Sequence, residues 1–245
     1  MAQHSACEPQ DARAGAPSAL PADLSDRFDA VVLDVPLGHH TFRILTVRDP
    51  DELLESITPE AFAVDERLPY WAELWTFSFA LARVCLEDEP LAGRRVLELG
   101  CGLGLAGIAA ARAGAIVTLT DYEQDALTFA GWNADANLSP GQRSRVVLRH
   151  YDWRAPESPG VFDVLLGADI VYERRAFAPL LNLFRKTLAP SGSVLLAEPD
   201  RTPGRDFLAF AAQEGFLVHT RSVAVERRQR TTHVTIARIR RGELP

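Results

Sequence analysis

The chain has 245 residues, 47% of them hydrophobic, and a formal net charge of -7 at pH 7. That length buries one sizeable core but is short for two full domains, and the acidic balance excludes a general electrostatic attraction to nucleic acid. Every apolar stretch meets an Arg, Asp or Glu before the roughly 20 residues that a membrane-spanning helix requires.

Residues 1–24 mix Ala, Pro, Ser and Gln with charges of both signs and lack the apolar core of a secretory signal, so they are expected to form a disordered tail. Cys7, Cys85 and Cys101 form an odd set without a C-x-x-C pair, which predicts neither a disulfide framework nor a zinc site, no metal, and a reducing cytoplasmic setting. Two β-rich runs, 30–35 and 41–47, flank Gly38-His39-His40 and predict a hairpin extension over 25–67. Over 71–86 the positions Leu74, Trp75, Ser78, Leu81, Ala82 and Cys85 follow helical spacing, and Pro90 closes the segment.

From residue 68 to the end the pattern predicts a single domain. Short apolar runs at 95–99, 116–120, 145–149, 162–166 and 193–197 alternate with helical stretches at 103–113, 123–137, 175–188 and 205–214. Alternation of this kind implies βαβ units. The last two runs, 216–225 and 232–239, have no helix between them and end the sheet as an antiparallel pair. The expected fold is α/β: a doubly wound, mostly parallel seven-stranded sheet with a C-terminal antiparallel hairpin. Arg221, Arg227, Arg228 and Arg230 within that hairpin are expected to form a solvated face.

The first strand of the alternation runs through Glu98 into Gly100-Cys-Gly102-Leu-Gly104. Glycines at a strand-to-helix turn let backbone pass close to a ligand where a Cβ would collide. The dinucleotide fingerprint needs a third glycine where Leu105 stands, so a nicotinamide-dependent oxidoreductase becomes the lesser reading. Asp121 closes the second strand, placed either to accept ribose hydroxyls or to cap the next helix in a box with Gln124. Asp152-Trp153 follows the third strand and offers an acceptor for an exocyclic amine and a flat face for an adenine ring, or else a turn aspartate beside a core tryptophan. The fourth strand ends in Gly167-Ala168-Asp169-Ile-Val-Tyr172, the fifth in Ala197-Glu198-Pro199-Asp200. Acidic residues therefore follow all five parallel strands, and ligands of open α/β sheets bind outside those strand ends. A single crevice lined by these acids is the expectation.

With these motifs the chain resembles the class I, seven-β-strand methyltransferases over roughly 68–240, with residues 98–104 as the donor loop and Asp121 as the ribose acid. Within that class it is similar to the methyltransferase-like protein lysine methyltransferases, through Tyr70-Trp71-Ala-Glu-Leu-Trp75, Asp152-Trp153 and the D-x-x-Y motif from Asp169 to Tyr172. It departs from related bacterial sequences at Thr76, where proline is common. The resemblance implies S-adenosyl-L-methionine as cofactor, held by Trp75, Glu98, Gly100, Gly102, Gly104, Asp121, Asp152, Trp153 and Ala168. It implies Asp169 and Tyr172 at the acceptor, a protein substrate and no nucleic-acid or membrane partner; a monomer is favoured. The same residues are compatible with a small-molecule N-methyltransferase or with a non-catalytic donor-binding module.

Overall fold

The computed structural model describes residues 22–55, 69–154, 157–199, 201–227 and 230–242. Residues 1–21 of the expected tail, with Cys7, lie outside the described residues, as do Asp200 and Arg228. Residues 22–24 are not tail: helix α1 (Ala22–Arg27) covers them and buries Leu24 completely. Strands β1 (Ala30–Leu37) and β2 (His40–Val47) pair antiparallel across a tight turn in which Gly38 takes φ 58. The positive φ suits a two-residue hairpin turn, shorter than the expected Gly38-His39-His40 turn because His40 already begins β2. A short helix α2 (Pro50–Glu55) follows.

The predicted helix over 71–86 starts late. Tyr70–Ala72 is a single 3-10 turn, Trp75 is extended at φ -68 and ψ 143, and α3 spans Thr76–Glu87. Competing donors explain the break. The Trp75 indole N–H donates to the Tyr70 carbonyl at 2.7 Å, and the Thr46 hydroxyl donates to the Ala72 carbonyl at 2.9 Å. Carbonyls that would begin the helical ladder are thereby taken.

The alternating region forms β3 (Arg95–Leu99), α4 (Leu105–Arg112), β4 (Ile116–Asp121), α5 (Gln124–Asn137), α6 (Pro140–Arg143) and β5 (Val146–His150). It continues through β6 (Phe162–Ala168), α7 (Phe177–Thr187), β7 (Leu188–Glu198), α8 (Thr202–Gln213), β8 (Phe216–Arg227) and β9 (Arg230–Arg241). The seven-stranded sheet has the order β5-β4-β3-β6-β7-β9-β8. Its first five strands are parallel, and β9 pairs antiparallel with both β7 and β8. Adjacent residues of a strand face opposite sides. Accordingly Val96 belongs to the core beneath α3, α4 and α5, whereas Leu97 belongs to the core beneath α7 and α8.

The hairpin is tied to this domain by two asparagines of α5. Asn133, fully buried, accepts from Leu45 N–H at 2.6 Å and donates to the carbonyls of Leu45 (3.2 Å) and Leu103 (2.9 Å). Asn137 accepts from Arg43 N–H at 2.8 Å and donates to its carbonyl at 2.7 Å. The amides thus satisfy an otherwise open edge of β2.

Candidate donor and acceptor site

The strand order reverses between β3 and β6, the place where open α/β sheets receive ligands at the carboxyl ends of their strands. Between β3 and α4, Gly100, Gly102 and Gly104 take φ of 60, 50 and 80, a region that L side chains enter at a cost. A Cβ on Gly102 would also stand 3.2 Å from the Trp71 carbonyl. Within α4, a Cβ on Gly107 would fall 2.2 Å from Leu119 Cδ2 and 2.5 Å from Glu98 Oε2. Only glycine lets the helix lie this close to the sheet.

Glu98 is not in the crevice. It is 2% exposed beneath the first turns of α4, and its Oε2 accepts the Gly107 N–H at 2.8 Å. Burial pushes its pKa up to about 8; the Gly107 amide opposes the rise and the Asp121 charge adds to it. Asp121, 4% exposed, accepts the Gly102 N–H at 2.9 Å on Oδ2 and the Glu123 N–H at 3.0 Å on Oδ1. Burial raises its pKa, while the amides of Glu123, Gly102 and Tyr122 and the nearby His150 hold it down. The predicted capping box does not form, because Glu123 is the N-cap of α5 and makes no side-chain cap bond. Instead, Asp121 clamps the glycine loop to the end of β4.

The Trp153 ring lies against the loop, its Cζ3 being 3.3 Å from where a Gly100 Cβ would stand. Asp152 is differently engaged: Arg154 takes both of its oxygens at 2.6–3.0 Å. A cavity of about 510 Å³ opens between α5 and β5, lined by Trp132, Leu148 and His150 among others. No loop glycine, nor Asp121 or Asp169, lines it. Its walls carry none of the chemistry described here.

Across the switch point, Asp169 follows the last residue of β6, Ala168, and at φ 52 is the one described non-glycine residue with positive φ. Its N–H donates to the Ala197 carbonyl at 2.8 Å, which fixes the turn. Such strain in a non-glycine residue persists only where its surroundings enforce it. The carboxyl, 14% exposed, meets Arg201 Nη2 at 3.0 Å through Oδ2, while Oδ1 is buried without a hydrogen-bond partner. Glu198, at the end of β7 and 2% exposed, has both oxygens buried without a partner. Burial first and the Asp169 charge second push its pKa well up, against Arg201 and the nearby amides of Ile170 and Val171. Burial likewise raises Asp169, and Arg201 opposes the shift.

Aromatic rings frame this side. The Tyr70 centroid lies 6.1 Å from that of Trp75 and 6.5 Å from that of Tyr172. The Arg201 guanidinium lies 5.9 Å from the Phe77 centroid on α3. The approach to α3, the end of β6 and the end of β7 therefore meet at one mouth.

Of the acids predicted to share one crevice, Glu98 and Glu198 are buried from water, the former raised in part by the Asp121 charge and the latter by that of Asp169, while Asp152 is engaged by Arg154. A carboxylate left among apolar neighbours is costly unless it is protonated or receives donors; Glu98 and Asp121 sit against backbone amides and Asp169 against a guanidinium. The sequence pattern assigns no role to Arg201 or to Tyr70. Arg201 stands in a chain whose basic residues are nearly all arginine, so nothing in its local pattern marks it.

Together, the sheet order, the glycine loop at the switch point and the antiparallel pair after β7 define a Rossmann-like methyltransferase fold. The same fold occurs in the crystal structure of magnesium protoporphyrin IX methyltransferase from Synechocystis PCC 6803 with bound S-adenosylmethionine, at a TM-score of 0.52 and 20% identity over 80% of this chain and 98% of that one. The lysine methyltransferase family matches residues 72–214, more than half of the chain, and the chain belongs to that family. It is 37% identical to EEF1A lysine methyltransferase 3 of Mus musculus over 136 residues, 55% of this chain and 58% of that protein. It is 40% identical to the protein N-lysine methyltransferase METTL21A of Mus musculus over 110 residues, 44% of this chain and 50% of that protein. The chain spans about half the length of these curated relatives.

Proposed function

We propose that the domain over 68–245 transfers a methyl group from S-adenosylmethionine to a lysine side chain of another protein. The observation that carries this reading is Asp169 at the switch point, a left-handed residue with a buried, unpartnered Oδ1, together with the cluster that Tyr70 forms with Trp75 and with Tyr172, three residues after Asp169. A carboxyl oxygen without a donor and a cluster of aromatic rings suit an amine on an aliphatic stem. The relatives named as protein lysine methyltransferases support the same acceptor.

The fit of the donor rests on two features. Gly100, Gly102 and Gly104 present bare backbone, and Asp121 fixes that backbone while keeping lone pairs that can accept ribose hydroxyls. Trp153 supplies a flat face against Gly100 for the adenine, Ala168 a small side chain between the two halves, and Trp75 a wall near the sulfonium. Asp152, engaged by Arg154, would have to share that pairing to reach the adenine amine. Glu98 supports the loop from beneath. Bound there, the donor supplies a methyl carbon already activated on sulfur. The protein's task is to hold the acceptor nitrogen in line and exclude water, and the nitrogen must lose its proton, since the reference lysine pKa is roughly 10.4.

The acidic net charge and the buried, unpaired thiols of Cys85 and Cys101 support a cytoplasmic protein that acts on proteins rather than nucleic acid; a monomer completes the proposal. Among the described residues no helix is long and apolar enough to cross a membrane. Incubating the full chain with radiolabelled S-adenosylmethionine and a dialysed cell lysate tests the reading. Label in protein bands is expected; label confined to the low-mass fraction would transfer the assignment to a small amine.

A further inference from the structure

The acceptor side poses an electrostatic problem. A carboxylate beside the acceptor nitrogen orients it but also stabilises its ammonium form, which cannot attack. Two carboxyls, Asp169 and Glu198, stand here, and both are screened from water. Were both ionised, a lysine would arrive as a tightly held cation. The structure balances them otherwise. Arg201 reaches over from the β7–α8 turn and meets Asp169 Oδ2 at 3.0 Å, with its guanidinium above the Phe77 ring. Oδ1, the other oxygen, remains buried and without a donor. Glu198 is 2% exposed, and its burial, reinforced by the Asp169 charge, favours its neutral form. Among the described residues, the groups from β6, β7 and the turn before α8 are then one carboxylate met by one guanidinium, and Glu198, which burial pushes toward its neutral form.

We propose that Arg201 is a positioning residue that neutralises Asp169, so that Oδ1 receives the N–H of a neutral acceptor amine rather than acting as the counter-ion of an ammonium. This rests on Asp169 being the acceptor-site acid, as set out above. Arg201 itself is half exposed and belongs to neither hydrophobic core, so its replacement leaves the fold in place. Its function is electrostatic, and pH is the variable that exposes it.

The test uses the full chain, radiolabelled S-adenosylmethionine and dialysed lysate protein, with initial rates of labelling of the strongest band recorded from pH 6 to pH 10. Arg201→Gln removes the guanidinium that meets Asp169 Oδ2. Its acidic limb should move to higher pH by about one unit or more, the scale of a neighbouring-charge effect. At neutral pH it should label about tenfold more slowly, and it should approach the wild-type rate at high pH, where the amine deprotonates unaided. Arg201→Lys should restore most of the wild-type profile. Donor affinity by calorimetry should be the same for all three proteins. A uniform fall in rate at every pH, or an unshifted profile in Arg201→Gln, would overturn the inference while leaving methyl transfer standing. Failure of the wild type to label protein, or labelling by Asp169→Ala at the wild-type rate, would overturn the functional reading and this inference with it.

Discussion

Replacing Glu98 with Gln should make the protein less sensitive to rising pH, and the size of the effect follows from where the carboxyl lies. Glu98 is 2% exposed, with Oε2 on the Gly107 amide and its pKa pushed up to about 8, against an ordinary value of 4.5. Between those two values the folded chain holds a proton that the unfolded chain has released. Stability from this group is therefore complete below about pH 4.5 and is lost as the pH rises towards 8, at about 1.4 kcal/mol per pH unit. A glutamine has the shape of the protonated acid, keeps an oxygen for the Gly107 N–H, and does not titrate. Urea denaturation of both proteins at pH 5.5 and pH 7.5 isolates the contribution, because the other ionisable groups largely cancel in the difference. The stability of Glu98→Gln relative to wild type should rise by roughly 2–3 kcal/mol between the two conditions. A relative stability that stays constant across that interval would mean that Glu98 is ionised in the folded protein and is not sealed from water under α4.

Three further outcomes follow from the same geometry. Asp121→Ala removes the acceptor of the Gly102 and Glu123 amides as well as the proposed ribose acid, so calorimetry should find donor affinity at least about tenfold weaker, the loss of one charged hydrogen bond; unchanged affinity would remove Asp121 from the donor site. Asp169→Ala should abolish labelling of protein and leave donor affinity within about twofold; a comparable loss of donor affinity would refute the division of the site into donor and acceptor halves. Asn133→Ala strips partners from the Leu45 amide and from the Leu45 and Leu103 carbonyls, and should destabilise the fold by roughly 2–4 kcal/mol in chemical denaturation. A change below about 0.5 kcal/mol would show that the hairpin does not depend on these bonds.

The parallel strands are the most legible part of the sequence, for a physical reason. Strands covered on both faces need near-continuous apolar runs, and those at 95–99, 116–120 and 162–166 all sit within β3, β4 and β6. The expected start of β7 falls short because Pro190, Ser191 and Gly192 interrupt the apolar run, although β7 begins at Leu188 and pairs there with Phe162. Within the site, the glycine loop and Asp169 are visible because their chemistry is local: backbone conformation and strand-end position. What stays hidden depends on partners distant along the chain. Asn133 meets Leu45 across 88 positions and Arg201 meets Asp169 across 32, and no periodicity records either contact. The burial of Glu98 and Glu198 is hidden for the same reason, since a strand-end carboxyl looks alike in sequence whether it is exposed or buried. The spacing of Trp75 is helical, yet side-chain donors to the Tyr70 and Ala72 carbonyls keep it outside the helix.

The most direct measurement is the chemical identity of the methylated group. Lysate protein labelled by the full chain with S-adenosylmethionine carrying a deuterated methyl group can be digested and its modified residues read by mass spectrometry. Deuterated methyl on lysine Nζ, absent when Asp169→Ala replaces the wild type, is the predicted result. Label on another side chain, or the same lysine label from the variant, would contradict the assignment of this mouth to a lysine amine.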